Sequence, residues 1–93
     1  MQDPMLRRHY RFSGNVQGVG FRYRASHAAQ LLGLTGWVAN CWDGTVEMEA
    51  QGTAEALARM LSLIDSGRFV CITDMDVREL PVDPEERGFH VRG

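Results

Sequence analysis

The stretch Gly14-Asn15-Val16-Gln17-Gly18-Val19-Gly20-Phe21-Arg22 limits this chain more than any other. Before it, Tyr10 and Phe12 alternate with Arg11, which is the period of a strand. After it, Phe21, Ala25, Ala28/Ala29 and Leu32 recur at the spacing of one helical face. A strand must therefore pass into a helix through a loop with three glycines in seven positions, and glycine takes φ > 0 without steric cost. A curled loop at a helix start aims several unpaired N–H groups at one point, which makes a site for a phosphate-like anion. Arg22 then falls where the helix dipole is already positive, a placement that costs up to about 1 kcal/mol. An anion bridging dipole and guanidinium removes that conflict.

The remaining elements follow from period and punctuation. The first strand is expected over roughly Leu6 to Ser13, and Gly33 supplies the left-handed stop of the first helix. Asp43-Gly44 between two alternating runs predicts a hairpin. Centring a two-residue turn there pairs Cys41 with Val46, Asn40 with Glu47, Ala39 with Met48 and Trp37 with Ala50. Trp37, Ala39, Cys41, Val46, Met48 and Ala50 would then face the helices, leaving Val38, Asn40, Glu47 and Glu49 on the open face. Thr53 is placed as N-cap of a second helix with Leu57, Met60/Leu61 and Ile64 as its apolar stripe, and Gly67 as its terminator. Phe69 to Leu80 reads as a strand with Cys71, Met75 and Val77 on one face. Pro81 and Pro84 bracket a loop, and Phe89 with Val91 make a short last strand.

The order β-α-β-β-α-β plus a terminal strand predicts a ferredoxin-like α+β sandwich, an antiparallel sheet in order 4-1-3-2 with both helices on one face. Residues 1–93 are read as a single domain. Strands two and four would be opposite edges, which keeps Cys41 and Cys71 beyond bridging distance.

Composition narrows the partners. All ten basic side chains are Arg. Between Pro4 and Ala39 there is no Asp or Glu, whereas residues 43–93 hold eleven acids against five Arg. The first half favours a small anion, and the acidic second half opposes a nucleic-acid footprint. No apolar run has the length of a membrane span, and the N-terminus lacks a signal-peptide core, so a soluble, cytoplasmic monomer is expected. His9, His27 and His90 are scattered, and Asp74, Asp76, Asp83, Glu85 and Glu86 read as solvated edge charges rather than a metal site.

GNVQGVGFR (14–22), GWVANCWDGTVE (36–47) and Gln51-Gly52 together resemble the acylphosphatase family, over nearly the whole chain. The resemblance implies hydrolysis of a small acyl phosphate to carboxylate and inorganic phosphate without metal or cofactor. Arg22 stands at the family's phosphate-binding arginine and Asn40 at the asparagine that orients the attacking water. Val16, Gln17, Gly18, Val19, Gly20 and Phe21 match the loop whose backbone N–H groups hold the phosphate oxygens. The same signatures mark domains of larger carbamoyl-transfer maturation proteins; no second domain is visible here, which favours the free enzyme. The Cys41-Trp42 pair is less typical of the family's turn and bears on the pocket rim or substrate preference.

These residue types suit that chemistry. An acyl phosphate already has a good carboxylate leaving group, so the catalyst must chiefly position the phosphoryl group and stabilise its charge. Arginine offers a planar fork for two oxygens. Asparagine can hold a water without bringing a carboxylate's repulsion. Two other readings compete. A module that binds anions without turnover would keep the loop and show no hydrolysis. RNA binding would need aromatics clustered on the open sheet face, where Glu47 and Glu49 are expected instead.

Overall fold

In the computed structural model, residues 4–92 are described. The elements are β1 (Leu6–Asn15), α1 (Phe21–Leu32), β2 (Thr35–Asn40), β3 (Val46–Gly52), α2 (Ala54–Asp65), β4 (Cys71–Leu80) and β5 (Phe89–Arg92). This is the ferredoxin-like sandwich that the element order predicts, with β1 running two residues past its expected end. Tyr10 and Phe12 of β1 point into the core beside Val46, Met48 and Ala50 of β3. Leu57, Met60 and Ile64 of α2 and Phe21, Ala25, Ala28 and Ala29 of α1 close over them. Phe21 matters most for the site. It is the first residue of α1, fully buried, with its ring centroid 4.9 Å from that of Phe12. Burying such a ring contributes about 1.5–3 kcal/mol, and here it fastens the start of α1 to the sheet.

The sheet order is β4-β1-β3-β2-β5. Strands β4, β1, β3 and β2 lie in the expected order, but β2 is not an edge. β5 pairs with it in parallel, from Gly36 with Phe89 to Ala39 with Arg92. Buried Phe89 anchors this fifth strand. The segment from β4 to β5 is held by Arg7, whose guanidinium pairs with Glu49 at 2.8 Å and with Glu86 at 2.6 Å. Gln51 and Asp83 add reciprocal hydrogen bonds: Gln51 Nε2 donates to the Asp83 carbonyl and the Asp83 amide donates to Gln51 Oε1.

The hairpin register differs from expectation by one residue. Asn40 pairs with Val46, Val38 with Met48 and Gly36 with Ala50. The Cys41 amide donates to the Thr45 carbonyl at 2.8 Å and the Gly44 amide to the Cys41 carbonyl at 3.2 Å. The connection therefore has three residues, Trp42 to Gly44. Gly44 at φ +91° takes the left-handed place such a loop requires. Asp43 fixes this form by accepting from the amide and the hydroxyl of Thr45 at 3.0 and 2.7 Å. One added residue exchanges the faces of β2. Val38 is buried and Asn40 lies on the helix side, while Trp37 and Ala39 turn to the open face.

Thr53 caps α2 as expected, its hydroxyl accepting from the Ala56 amide at 3.2 Å. Gly67 does not end that helix in a left-handed turn: α2 stops at Asp65, with Ser66 as a right-handed cap. The glycine serves packing instead, because a Cβ there would stand 2.7 Å from Arg24 Nε. β4 starts at Cys71 rather than Phe69, and its Met75 and Val77 lie opposite Phe12 and Tyr10 of β1. Both cysteines are free. Among the described residues no helix is long and apolar enough to cross a membrane.

Candidate active site

β1 ends beside the start of α1, and the loop between them curls over the end of β2. Gly20 is the N-cap of α1 at φ +81° and ψ +16°, and it supplies no side-chain cap. The first intrahelical bond runs from the Arg24 amide to the Gly20 carbonyl at 2.9 Å, so the amides of Phe21, Arg22 and Tyr23 precede the ladder. The first turn of α1 holds no acidic residue. The positive end of the helix is left without a negative partner from its own turn.

A concavity of about 190 Å³ opens at this point, lined by Val16, Gly18, Gly20, Phe21, Arg22, Tyr23 and Asn40. Arg22, Asn40 and four of the six loop residues named from the sequence thus meet around one space. Gln17 and Val19 do not line it. Val19 is partly buried against the core. Gln17 turns its side chain toward the hairpin, where Nε2 donates to the carbonyls of Cys41 at 2.7 Å and Thr45 at 2.8 Å. Asn40 reaches the cup because of the register described above; on the open face it would lie across the sheet from α1.

Arg22 is steadied from the new strand. Its Nη1 donates to the Arg92 carbonyl at 2.9 Å, which uses one of five N–H donors. That contact, the clamp by Gln17 and the presence of Tyr23 at the cup were not read from the sequence. Tyr23 directly follows Arg22 and could have been found by adjacency. No sequence signal marks the Arg92 carbonyl, since backbone acceptors have no residue type.

A larger concavity, about 420 Å³, lies on the open face of the sheet and is lined by His9, Arg11, Glu49, Asp76, Arg78 and Leu80. Charges of both signs alternate there, and Arg11 is already engaged by Glu47. It has no set of donors converging on one charge. Around Arg22, by contrast, a guanidinium and the start of α1 border one space. Among the described residues, no three His, Cys, Asp or Glu side chains gather as a metal-ligand set.

The fold and this cup define a small α+β domain with a concavity between a strand-to-helix loop and a hairpin. The acylphosphatase family model matches residues 8–91. An acylphosphatase of Geobacillus thermodenitrificans is 46% identical over 88 residues, 94% of each chain. One from Bifidobacterium longum is 41% identical over 90 residues, 95% of this chain and 93% of its own. Among solved structures, the acylphosphatase of Bacillus subtilis superposes with a TM-score of 0.86 at 35% identity, over 95% of this chain and 99% of that one. The chain belongs to the acylphosphatase family, enzymes that hydrolyse acyl phosphates to a carboxylate and inorganic phosphate.

Proposed function

We propose that Arg22 and the loop Val16–Phe21 hold the phosphoryl group of a small acyl phosphate while Asn40 orients the water that attacks it. The reading rests on one observation: Arg22, Asn40 and the uncapped start of α1 border a single concavity of about 190 Å³. The guanidinium and the amides neutralise the phosphoryl oxygens and cost no reorganisation as charge shifts. The Asn40 carboxamide oxygen accepts from the water, and its NH₂ contacts a phosphoryl oxygen. Attack forms a new P–O bond as the bridging P–O bond breaks. The bonding pair leaves with the carboxylate, and the water's extra proton passes to phosphate or solvent. Charge stabilisation comes wholly from arginine and backbone in this scheme, so no metal ion is required. Every group comes from one chain, which makes a monomer sufficient.

The test is hydrolysis of acetyl or benzoyl phosphate by the purified protein in excess chelator. Turnover that survives chelation supports the proposal. Turnover abolished by chelation and restored by a divalent ion would sink the metal-free scheme. Phosphate binding with no turnover on any acyl phosphate would select the non-catalytic reading.

A further inference from the structure

We infer that the acyl group of the substrate is an extended apolar chain that lies on a shelf along α1; this rests on the cup being the phosphoryl site. Tyr23, His27 and Leu31 succeed one another at i, i+4 and i+8, so they share one face of α1 over about 12 Å. All three are exposed, Tyr23 at 75% and Leu31 at 72% of their surface. The rings of Tyr23 and His27 lie parallel, 7° apart in plane with centroids at 6.2 Å. Scattered exposed apolar residues need no explanation. Tyr23 and Leu31 with the His27 ring between them, in one line from the mouth of the cup, do.

The line borders a hollow of about 230 Å³ between α1 and α2, with buried Ala28 as its floor and Leu63 as its far wall. Tyr23 belongs to both this hollow and the phosphate cup. Arg24 also borders it, with its guanidinium engaged at the α2 wall: Nη2 donates to the Leu63 carbonyl at 2.8 Å and to Ser66 Oγ at 3.0 Å. Its aliphatic stem is what remains for the hollow. No acidic side chain occurs anywhere in α1.

In-line attack sets the direction. The leaving oxygen must lie across phosphorus from the water, hence away from Asn40. Asn40 comes from β2 and Tyr23 from the outer face of α1, so they form different walls of the cup. An acyl group directed away from Asn40 and past Tyr23 would run on to His27 and Leu31.

The probes are straight-chain acyl phosphates from acetyl to octanoyl, whose carboxylates are leaving groups of near-equal basicity. The readout is the ratio of kcat/KM for octanoyl phosphate to that for acetyl phosphate within each protein, which cancels differences in folded fraction. A half-covered methylene contributes about a two-fold gain, so the ratio should reach roughly 60 in the natural protein. In Leu31→Gln/Leu63→Gln it should drop below about 10. Brisk acetyl phosphate hydrolysis with a ratio near one overturns the shelf and leaves the phosphoryl site standing. A high ratio that persists in the double variant also overturns the shelf. No hydrolysis of any member of the series overturns both.

Discussion

Gln17 Nε2 stands 2.7 Å from the carbonyl oxygen of Cys41, one residue beyond Asn40. The same nitrogen donates to the Thr45 carbonyl, so both N–H bonds of one amide close the two sides of the hairpin connection. This contact ties the loop 16–21 to the hairpin that follows Asn40. Replacing Gln17 by Leu removes both bonds, worth together about 2 kcal/mol. The expected outcome is a fall in kcat of roughly ten-fold with phosphate inhibition little changed. Equal losses in kcat and in phosphate affinity would mean that the side chain supports the anion itself.

The two polar residues of the cup should separate by kinetics. Arg22→Ala removes a charge-stabilising fork, for an expected cost of about 3–4 kcal/mol, hundreds-fold in turnover, and competition by phosphate should weaken with it. Asn40→Ala should lower kcat while phosphate still competes, because its proposed partner is water. Inhibition constants for phosphate measured on both variants decide the matter. Indistinguishable losses would contradict the division of roles.

Acid should weaken the open sheet face. The carboxyl of Glu47 is held below its ordinary value of 4.5, first by its hydrogen bond with Arg11 and against the opposing effect of burial. Asp43 is likewise held below 3.8, first by the Thr45 hydroxyl and then by the Thr45 amide. A depressed carboxyl contributes stability that is complete above its unfolded value and is lost as pH falls through the folded one. Thermal melts between pH 6 and pH 3 should therefore show a steeper decline for the natural protein than for Glu47→Gln. The two curves should converge at the acid end; parallel curves would remove Glu47 from the acid response.

The parts of this molecule that were legible in its sequence are those fixed by local chemistry. Phe21 is both the first buried position of a helical stripe and the end of a glycine loop, so strand, loop and helix could be placed together. Thr53 could be read as a cap because a hydroxyl at that position has one local use. The hairpin was misread because Asp43-Gly44 suits two turns. In a two-residue turn both would be central; here Asp43 spends its carboxylate on Thr45, and Gly44 occupies the last place of a longer connection. That difference of one residue moves Asn40 from the open face to the cup, although the motif named it on either register. The strand β5 was itself expected, but its place beside β2 was not. Four residues with one buried side chain, Phe89, leave little periodic signal, and a parallel partner across the sheet is not encoded nearby. Gly67 has the sequence position of a helix stop, whereas what it accommodates is Arg24, 43 positions earlier in the chain.

The hydrogen bond from Arg22 to the Arg92 carbonyl joins positions 70 apart, and the inner strand β1 pairs with β3 and β4, both distant in sequence. Closing such wide loops is the slow part of folding, after helices and the hairpin have formed. The cup is therefore complete only when segments far apart in the chain have met, and detaching the parallel ribbon at its margin would release the Arg22 side chain from its carbonyl.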